Sequence, residues 1–217
     1  MRSAALTSSF SSISKALDNS VAQIEHFDKK QYTLVAFDAP GHGNSESKIG
    51  NIPLFEKSIE TLIDHVGEID HFVGHSIGSF ACASFAFHSQ YPMKSFTSLA
   101  TPFDAPEFFY QFNDQLKTSK RLQKHMKTYF KKYTGHPVEH YSLETFSKTM
   151  NPARTLIIHD KQDKSTSHKS SQRLFELLKT KNSNVELTLT EGLKHNLRGE
   201  NVVEAVETFV NKTIINA

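Results

Sequence analysis

Gly74-His75-Ser76-Ile77-Gly78 is a G-x-S-x-G pentapeptide, a pattern that presents a serine on a tight strand-to-helix turn with its oxygen exposed. A serine hydroxyl becomes a useful nucleophile only beside a base, and the base needs an acid to orient it. Two later stretches offer such groups. His159-Asp160-Lys161-Gln162-Asp163 carries two carboxylates, and Gly192-Leu193-Lys194-His195 ends on a histidine. Of the 12 histidines, His195 is the one that follows the last expected strand, and Gly192 stands three residues before it. The chemistry this set would perform is nucleophilic attack on a carbonyl carbon through a covalent acyl-enzyme. A serine rather than an aspartate at the turn argues against displacement on carbon by a carboxylate.

The elements that must hold these residues are readable as short apolar runs alternating with helical patterns. Strands are expected at Tyr32–Phe37, Ile69–Val73, Phe96–Ala100, Thr155–His159 and Val185–Leu189. Phe55, Ile59, Leu62, Ile63 and Val66 recur at helical spacing, and Val202, Val203, Val206, Phe209 and Val210 make an amphipathic closing helix. The helix after Gly78 is rich in small residues (Ala81, Cys82, Ala83, Ser84, Ala86), which lets it lie close against a sheet. Strands alternating with helices predict an α/β fold with a mostly parallel sheet. Both the acids and His195 then fall at carboxyl ends of strands, where open α/β sheets build their sites. Between Phe103 and Met150 the pattern is helical throughout. Within it Lys117, Lys120, Arg121, Lys124, Lys127, Lys131 and Lys132 have no acid among them, which reads as a solvated face or as a basic lid. Phe108, Phe109, Phe112, Tyr129 and Phe130 of the same stretch either line an acyl pocket or dock the segment on the sheet.

Composition bounds the rest. The chain has 217 residues, one domain's length, with 25 Lys and Arg against 23 Asp and Glu. So balanced a charge gives no reason to expect nucleic acid as a partner. One cysteine, Cys82, excludes an internal disulfide framework and makes a reducing cytoplasm the default compartment. No apolar run is long enough to cross a membrane. His136 and His140 could pair, but the sequence supplies them no third ligand, so neither a metal nor another cofactor is expected. The first 20 residues, rich in Ser and Ala, read as an amphipathic helix through Ile13, Ala16, Leu17, Val21 and Ile24.

Phe37-Asp38-Ala39-Pro40-Gly41-His42-Gly43-Asn44-Ser45, the Gly74–Gly78 turn, His159–Asp163 and Gly192–His195 together resemble the α/β-hydrolase superfamily, and within it bacterial serine esterases. The resemblance covers about Tyr32 to the C-terminus. It implies Ser76 as nucleophile, His195 as general base and Asp163 as orienting acid, with Asp160 the runner-up. It implies a structural role for the Asp38–Ser45 loop, and a small-molecule acyl substrate. The expected layout is a single α/β-hydrolase domain over 1–217, its core at 31–102 and 151–217 and a helical cap insertion at about 103–150.

Members of that superfamily begin with further strands, and the third ends in a His-Gly loop that donates one oxyanion-hole N–H. No such pair precedes Asp38, and no apolar strand precedes Ile13. The backbone N–H of Ile77 supplies one oxyanion donor; loss of the other costs about 10²–10³ in rate. The expectation is therefore an N-terminally truncated sheet lacking a central strand, with the reading frame beginning too late or the flanking strands pairing directly. A catalytically impaired scaffold and an acyltransferase stand beside the ester hydrolase as alternative functions.

Overall fold

The computed structural model describes residues 3–9, 32–181 and 184–215. Six parallel strands form one sheet: β1 (Ser3–Ser9), β2 (Tyr32–Asp38), β3 (His71–His75), β4 (Ser95–Leu99), β5 (Arg154–Asp160) and β6 (Val185–Thr190), in the order β2-β1-β3-β4-β5-β6. The crossover helices are α1 (Ile52–Val66), α2 (Ile77–Ser89) and α6 (His168–Lys179), and α7 (Glu200–Ile215) closes the described chain. Between β4 and β5 lie α3 (Ala105–Gln115), α4 (Lys120–Thr134), a 3-10 turn (Val138–His140) and α5 (Leu143–Phe146). The crossover α6 went unread in the sequence because its buried positions Ser170, Ser171, Leu174 and Leu178 are half polar.

β1 corrects the sequence reading. The place expected to be missing, between Tyr32–Asp38 and His71–His75, is filled by Ser3–Ser9, in register from Ser3↔Tyr32 to Ser9↔Asp38 on one side and from Ala5↔His71 to Ser8↔Gly74 on the other. The two flanking strands therefore do not pair directly. Ser-Ala-Ala-Leu-Thr-Ser-Ser has few of the residues that favour strands, and what makes it one is a ladder on both edges. The helix expected over the first 20 residues is a strand at Ser3–Ser9, and its positions Ile13 to Ile24 lie outside the described residues.

Period-two alternation sends neighbouring strand residues to opposite faces. Phe72, Phe96 and Ile157 pack with Phe55 and Ile59 of α1, Phe80 and Phe85 of α2, and Leu174 and Leu178 of α6. Val73, Leu99, Leu156 and Ile158 pack with Val202, Val206, Phe209 and Val210 of α7. Both faces of the central strands are thus covered, and β3 and β4 are buried end to end. Of the aromatics in the segment between β4 and β5, Phe108 packs edge-to-face on Phe80, and Phe130 on Tyr141. No residue of α4 is fully buried, and its Lys127 pairs with Glu139 at 2.8 Å.

Candidate active site

The turn at Ser76 is built by steric exclusion. A Cβ on Gly74 would stand 2.4 Å from the Cα of Ser79 and 2.6 Å from its nitrogen, so only glycine lets the outgoing helix fold back on β3. Ser76 itself holds φ 54° and ψ −126°, a conformation that costs a non-glycine residue about 1–3 kcal/mol. Its N–H donates to the Leu99 carbonyl at 2.8 Å, which ties the turn to the end of β4. The serine stands at the N-cap of α2, yet its side chain makes no capping bond. Its Oγ points instead to His195 Nε2, 3.0 Å away. Ile77 opens α2, so its N–H has no partner within the helix and lies at the positive end of the helix dipole.

His195 arrives on the loop after β6, which turns through Gly192 (φ 92°) and Lys194 (φ 56°). His195 Nδ1 lies 2.7 Å from Asp163 Oδ2. Asp163, on the turn after β5, has no exposed side-chain surface. Its Oδ1 accepts the N–H groups of Ser165 at 2.7 Å and Thr166 at 3.1 Å. Its Oδ2 also receives the Thr166 hydroxyl at 2.8 Å and His159 Nε2 at 3.1 Å. Burial alone would push this carboxyl up, but the donors from His159, His195 and Thr166 outweigh it and hold the group well below the ordinary carboxylate range. It is an anion at any pH near neutrality.

Asp160, the other carboxylate, does something different. It accepts the Gln162 N–H, the Thr190 hydroxyl and the Leu193 N–H, each at 2.9 Å, and so staples the end of β5 to the loop that delivers His195. Burial pushes its pKa up and those backbone donors pull it below the usual value. The structure thus brings Ser76, His195 and Asp163 into one chain of contacts and leaves Asp160 beside it as a brace.

Three supporting residues were not singled out by the sequence. His159 sits fully buried on β5 with Nε2 on Asp163 and Nδ1 2.7 Å from the Ser171 hydroxyl. With a carboxylate and the Thr166 carbonyl facing Nε2, that nitrogen carries the proton. Thr166 adds its hydroxyl to the same oxygen. His75, within the turn, places Nε2 2.7 Å from the His195 carbonyl, and burial pushes its pKa down to about 4, so it donates as a neutral ring. A histidine four residues before an acid gives no sign in sequence that both meet on one oxygen; only the strand-to-turn geometry does that.

A depression of about 760 Å³ opens beside Asp163 and His195, with Lys161, Lys164 and Lys194 on its walls. A separate apolar cavity of about 440 Å³ lies between α3 and α4, lined by Phe109, Leu122, Met126, Tyr129, Phe130 and Tyr133. Phe109, Tyr129 and Phe130, expected to line an acyl pocket or to dock the segment, therefore meet in a cavity that none of the three site residues lines. In the loop after β2, Asn44 N–H donates to Asp38 Oδ2 at 2.9 Å, and a Cβ on Gly43 would meet that carboxyl at 2.3 Å. His136 and His140, left without a third ligand by the sequence, lie against His88 of α2. Among the described residues no helix is long and apolar enough to cross a membrane.

Solved structures share this architecture at low identity. The chain is similar to Est1E from Butyrivibrio proteoclasticus in its complex with ferulic acid (TM-score 0.73, 18% identity, covering 99% of this chain and 90% of that one). It is similar to the monoacylglycerol lipase of Paleococcus ferrophilus (0.70, 20%, 96% and 93%). It is likewise similar to mouse alpha/beta hydrolase domain-containing protein 10 (0.71, 15%, 99% and 90%). No curated protein matches the chain by sequence. At such identities the likeness shows the fold. The family model for the alpha/beta hydrolase fold matches residues 13–123, more than half of the chain, across β2, α1, the Gly74–Gly78 turn and α2. With the parallel sheet and the strained serine turn beside it, that match makes the chain a member of the alpha/beta hydrolase fold family, and a hydrolase.

Proposed function

We propose that the protein hydrolyses carboxylic esters through an acyl-enzyme, with Ser76 as nucleophile, His195 as general base and Asp163 as the orienting acid. The observation that carries this reading is the continuous relay from Asp163 Oδ2 to His195 Nδ1 (2.7 Å) and from His195 Nε2 to Ser76 Oγ (3.0 Å). With Nδ1–H donated to the carboxylate, Nε2 keeps its lone pair toward the serine hydroxyl. The Ser76 proton passes to Nε2 as Oγ bonds to the carbonyl carbon, and the carbonyl electron pair moves onto oxygen. The Ile77 N–H stabilises that oxyanion. Collapse expels the alcohol, which takes the proton from Nε2. Water then attacks the acyl-enzyme by the same relay and releases the acid and Ser76.

In this reading the helices at 103–150 form a cap on a core of 31–102 and 151–217, and the substrate is a small acyl compound that needs no cofactor. A single buried thiol, Cys82, fits work in a reducing compartment such as the cytoplasm. A fluorophosphonate probe tests the assignment. Covalent labelling that vanishes in Ser76→Ala supports the acyl-enzyme, and absence of labelling in folded protein would instead mark a catalytically dead scaffold. A panel of p-nitrophenyl esters of graded chain length then reads the acyl preference, and an added alcohol acceptor separates hydrolysis from acyl transfer.

A further inference from the structure

His88, His136 and His140 are 48 residues or more apart in pairing from α2 to the segment after α4, yet all three place a ring nitrogen within 4.8 Å of the other two. We propose that they form a binding site for a borderline first-row divalent cation, for which zinc is the probe. It shares no residue with the Ser76 site and stands or falls independently of the ester reading.

The geometry is close to what such an ion needs. Tetrahedral zinc with nitrogen ligands at about 2.0–2.1 Å sets neighbouring nitrogens roughly 3.4 Å apart. His88 Nε2 and His140 Nε2 are 3.4 Å apart. Bringing the third nitrogen in from the 4.8 Å limit asks for at most about 1.4 Å of side-chain adjustment, which an exposed His136 can make. Three imidazoles without a thiolate or a ligating carboxylate suit zinc, copper or nickel and not calcium or magnesium. A fourth position stays open to solvent.

The surroundings orient the ligands. Glu56 of α1 accepts from His88 Nδ1 at 3.1 Å, so the proton sits on Nδ1 and the Nε2 lone pair faces the other two rings. The Ser84 hydroxyl donates to the same Glu56 oxygen and fixes it. A carboxylate behind a histidine ligand both sets the tautomer and raises its basicity. His88 lies in the last turn of α2, where the helix dipole favours a cation. Around them, Phe87 and Tyr141 pack edge-on against His140, and Phe146 edge-on against His88. His136 stacks on His140 with ring centres 4.0 Å apart. Its backbone is anchored by Thr134, whose hydroxyl donates to the His136 carbonyl at 2.8 Å. Lys148 is a nearby positive charge and weakens the site. An ion there would join α1 and α2 to the helical segment between β4 and β5, with α2 being the helix that follows Ser76.

The competing explanation for the same contacts is an N–H···N bond between His140 and His88 with no ion involved. Full-length protein stripped with EDTA and titrated with zinc chloride at pH 7.5 by calorimetry separates the two. One zinc per chain is expected, with the thermal midpoint raised by about 5–10 °C at free zinc 100-fold above Kd. Cobalt(II) should give the visible absorption of a tetrahedral nitrogen site. His136→Ala, an exposed change that leaves the fold intact, and His140→Ala should each weaken zinc at least ~100-fold, and Glu56→Gln by about 10–100-fold. His195→Ala should bind as the parent does. Absence of saturable binding would overturn the proposal. So would affinity indifferent to His136→Ala and His140→Ala, or affinity lost in His195→Ala.

Discussion

Asp163→Asn and Asp160→Asn are the same chemical change three residues apart, and the structure predicts opposite consequences. Asp163 receives five donors: His195, His159 and the Thr166 hydroxyl on Oδ2, and the Ser165 and Thr166 amides on Oδ1. An asparagine has one acceptor oxygen and one NH2. If the oxygen replaces Oδ2, the NH2 confronts the N–H groups of exposed Ser165 and of buried Thr166, and the latter is left without an acceptor at about 1–3 kcal/mol. If the NH2 replaces Oδ2, it confronts His195 Nδ1, and the imidazole is driven to the tautomer with its proton on Nε2. That nitrogen points at Ser76 Oγ and can no longer take its proton. A wrong tautomer of this kind lowers kcat by about 10⁴, roughly 5.5 kcal/mol of transition-state stabilisation. Asp160→Asn instead loosens a brace: three donors lose a charged acceptor, for about 1–3 kcal/mol of stability, while the relay keeps its members. The assay is the initial rate on p-nitrophenyl butyrate per folded molecule, the folded fraction being read by circular dichroism at the same temperature. Asp163→Asn should fall at least 10³-fold and Asp160→Asn less than about 10-fold. Asp163→Asn retaining a tenth of parental turnover, or Asp160→Asn falling as far, would refute the division of labour.

Acid should destabilise the fold through two buried histidine rings. Burial holds His71 and His75 down to about 4, against 6.5 when exposed, so the unfolded chain binds protons that the folded one refuses. Stability from these rings is fully present above the unfolded pKa and is lost as pH falls from about 6.5 towards 4; at pH 5 the loss is about 2 kcal/mol per ring. Urea midpoints at pH 7.5 and 5.0 check this, and His71→Gln should remove about half of the difference; equal midpoints for the parent at the two pH values would count against it. Gly74→Ala should cost more than the 1–3 kcal/mol typical of overpacking, because its Cβ would meet backbone at 2.4 Å rather than a side chain that can turn away. A thermal midpoint within 2 °C of the parent would mean the turn has room that the structure does not give it.

Much of the site was legible because its signals are local. A serine between two glycines, preceded by an apolar strand and followed by small residues, is a statement about one turn, and backbone sterics there leave few residue choices. The strand ends that carry Asp163 and His195 were likewise marked by apolar runs that stop at polar turns. β1 was not legible. Ser3–Ser9 has weak strand preference, and its conformation is fixed by hydrogen bonds to two strands whose residues lie far away in sequence. The choice between Asp160 and Asp163 is of the same kind, since both are aspartates at the end of β5 and the turn alone decides which one faces His195.

The sequence by itself therefore determined the class of fold, the serine turn and the short roster of polar groups able to serve it, since each depends on neighbours within a few residues. Only the tertiary structure decided how those groups converge. It put three donors on one oxygen of Asp163, turned Asp160 into a brace and filled the sheet's central place with a serine- and alanine-rich strand. It also gathered His88 to His136 and His140. Periodicity and motif report which side of an element a residue occupies, but the distance between two loops is set by the packing of the whole sheet between them.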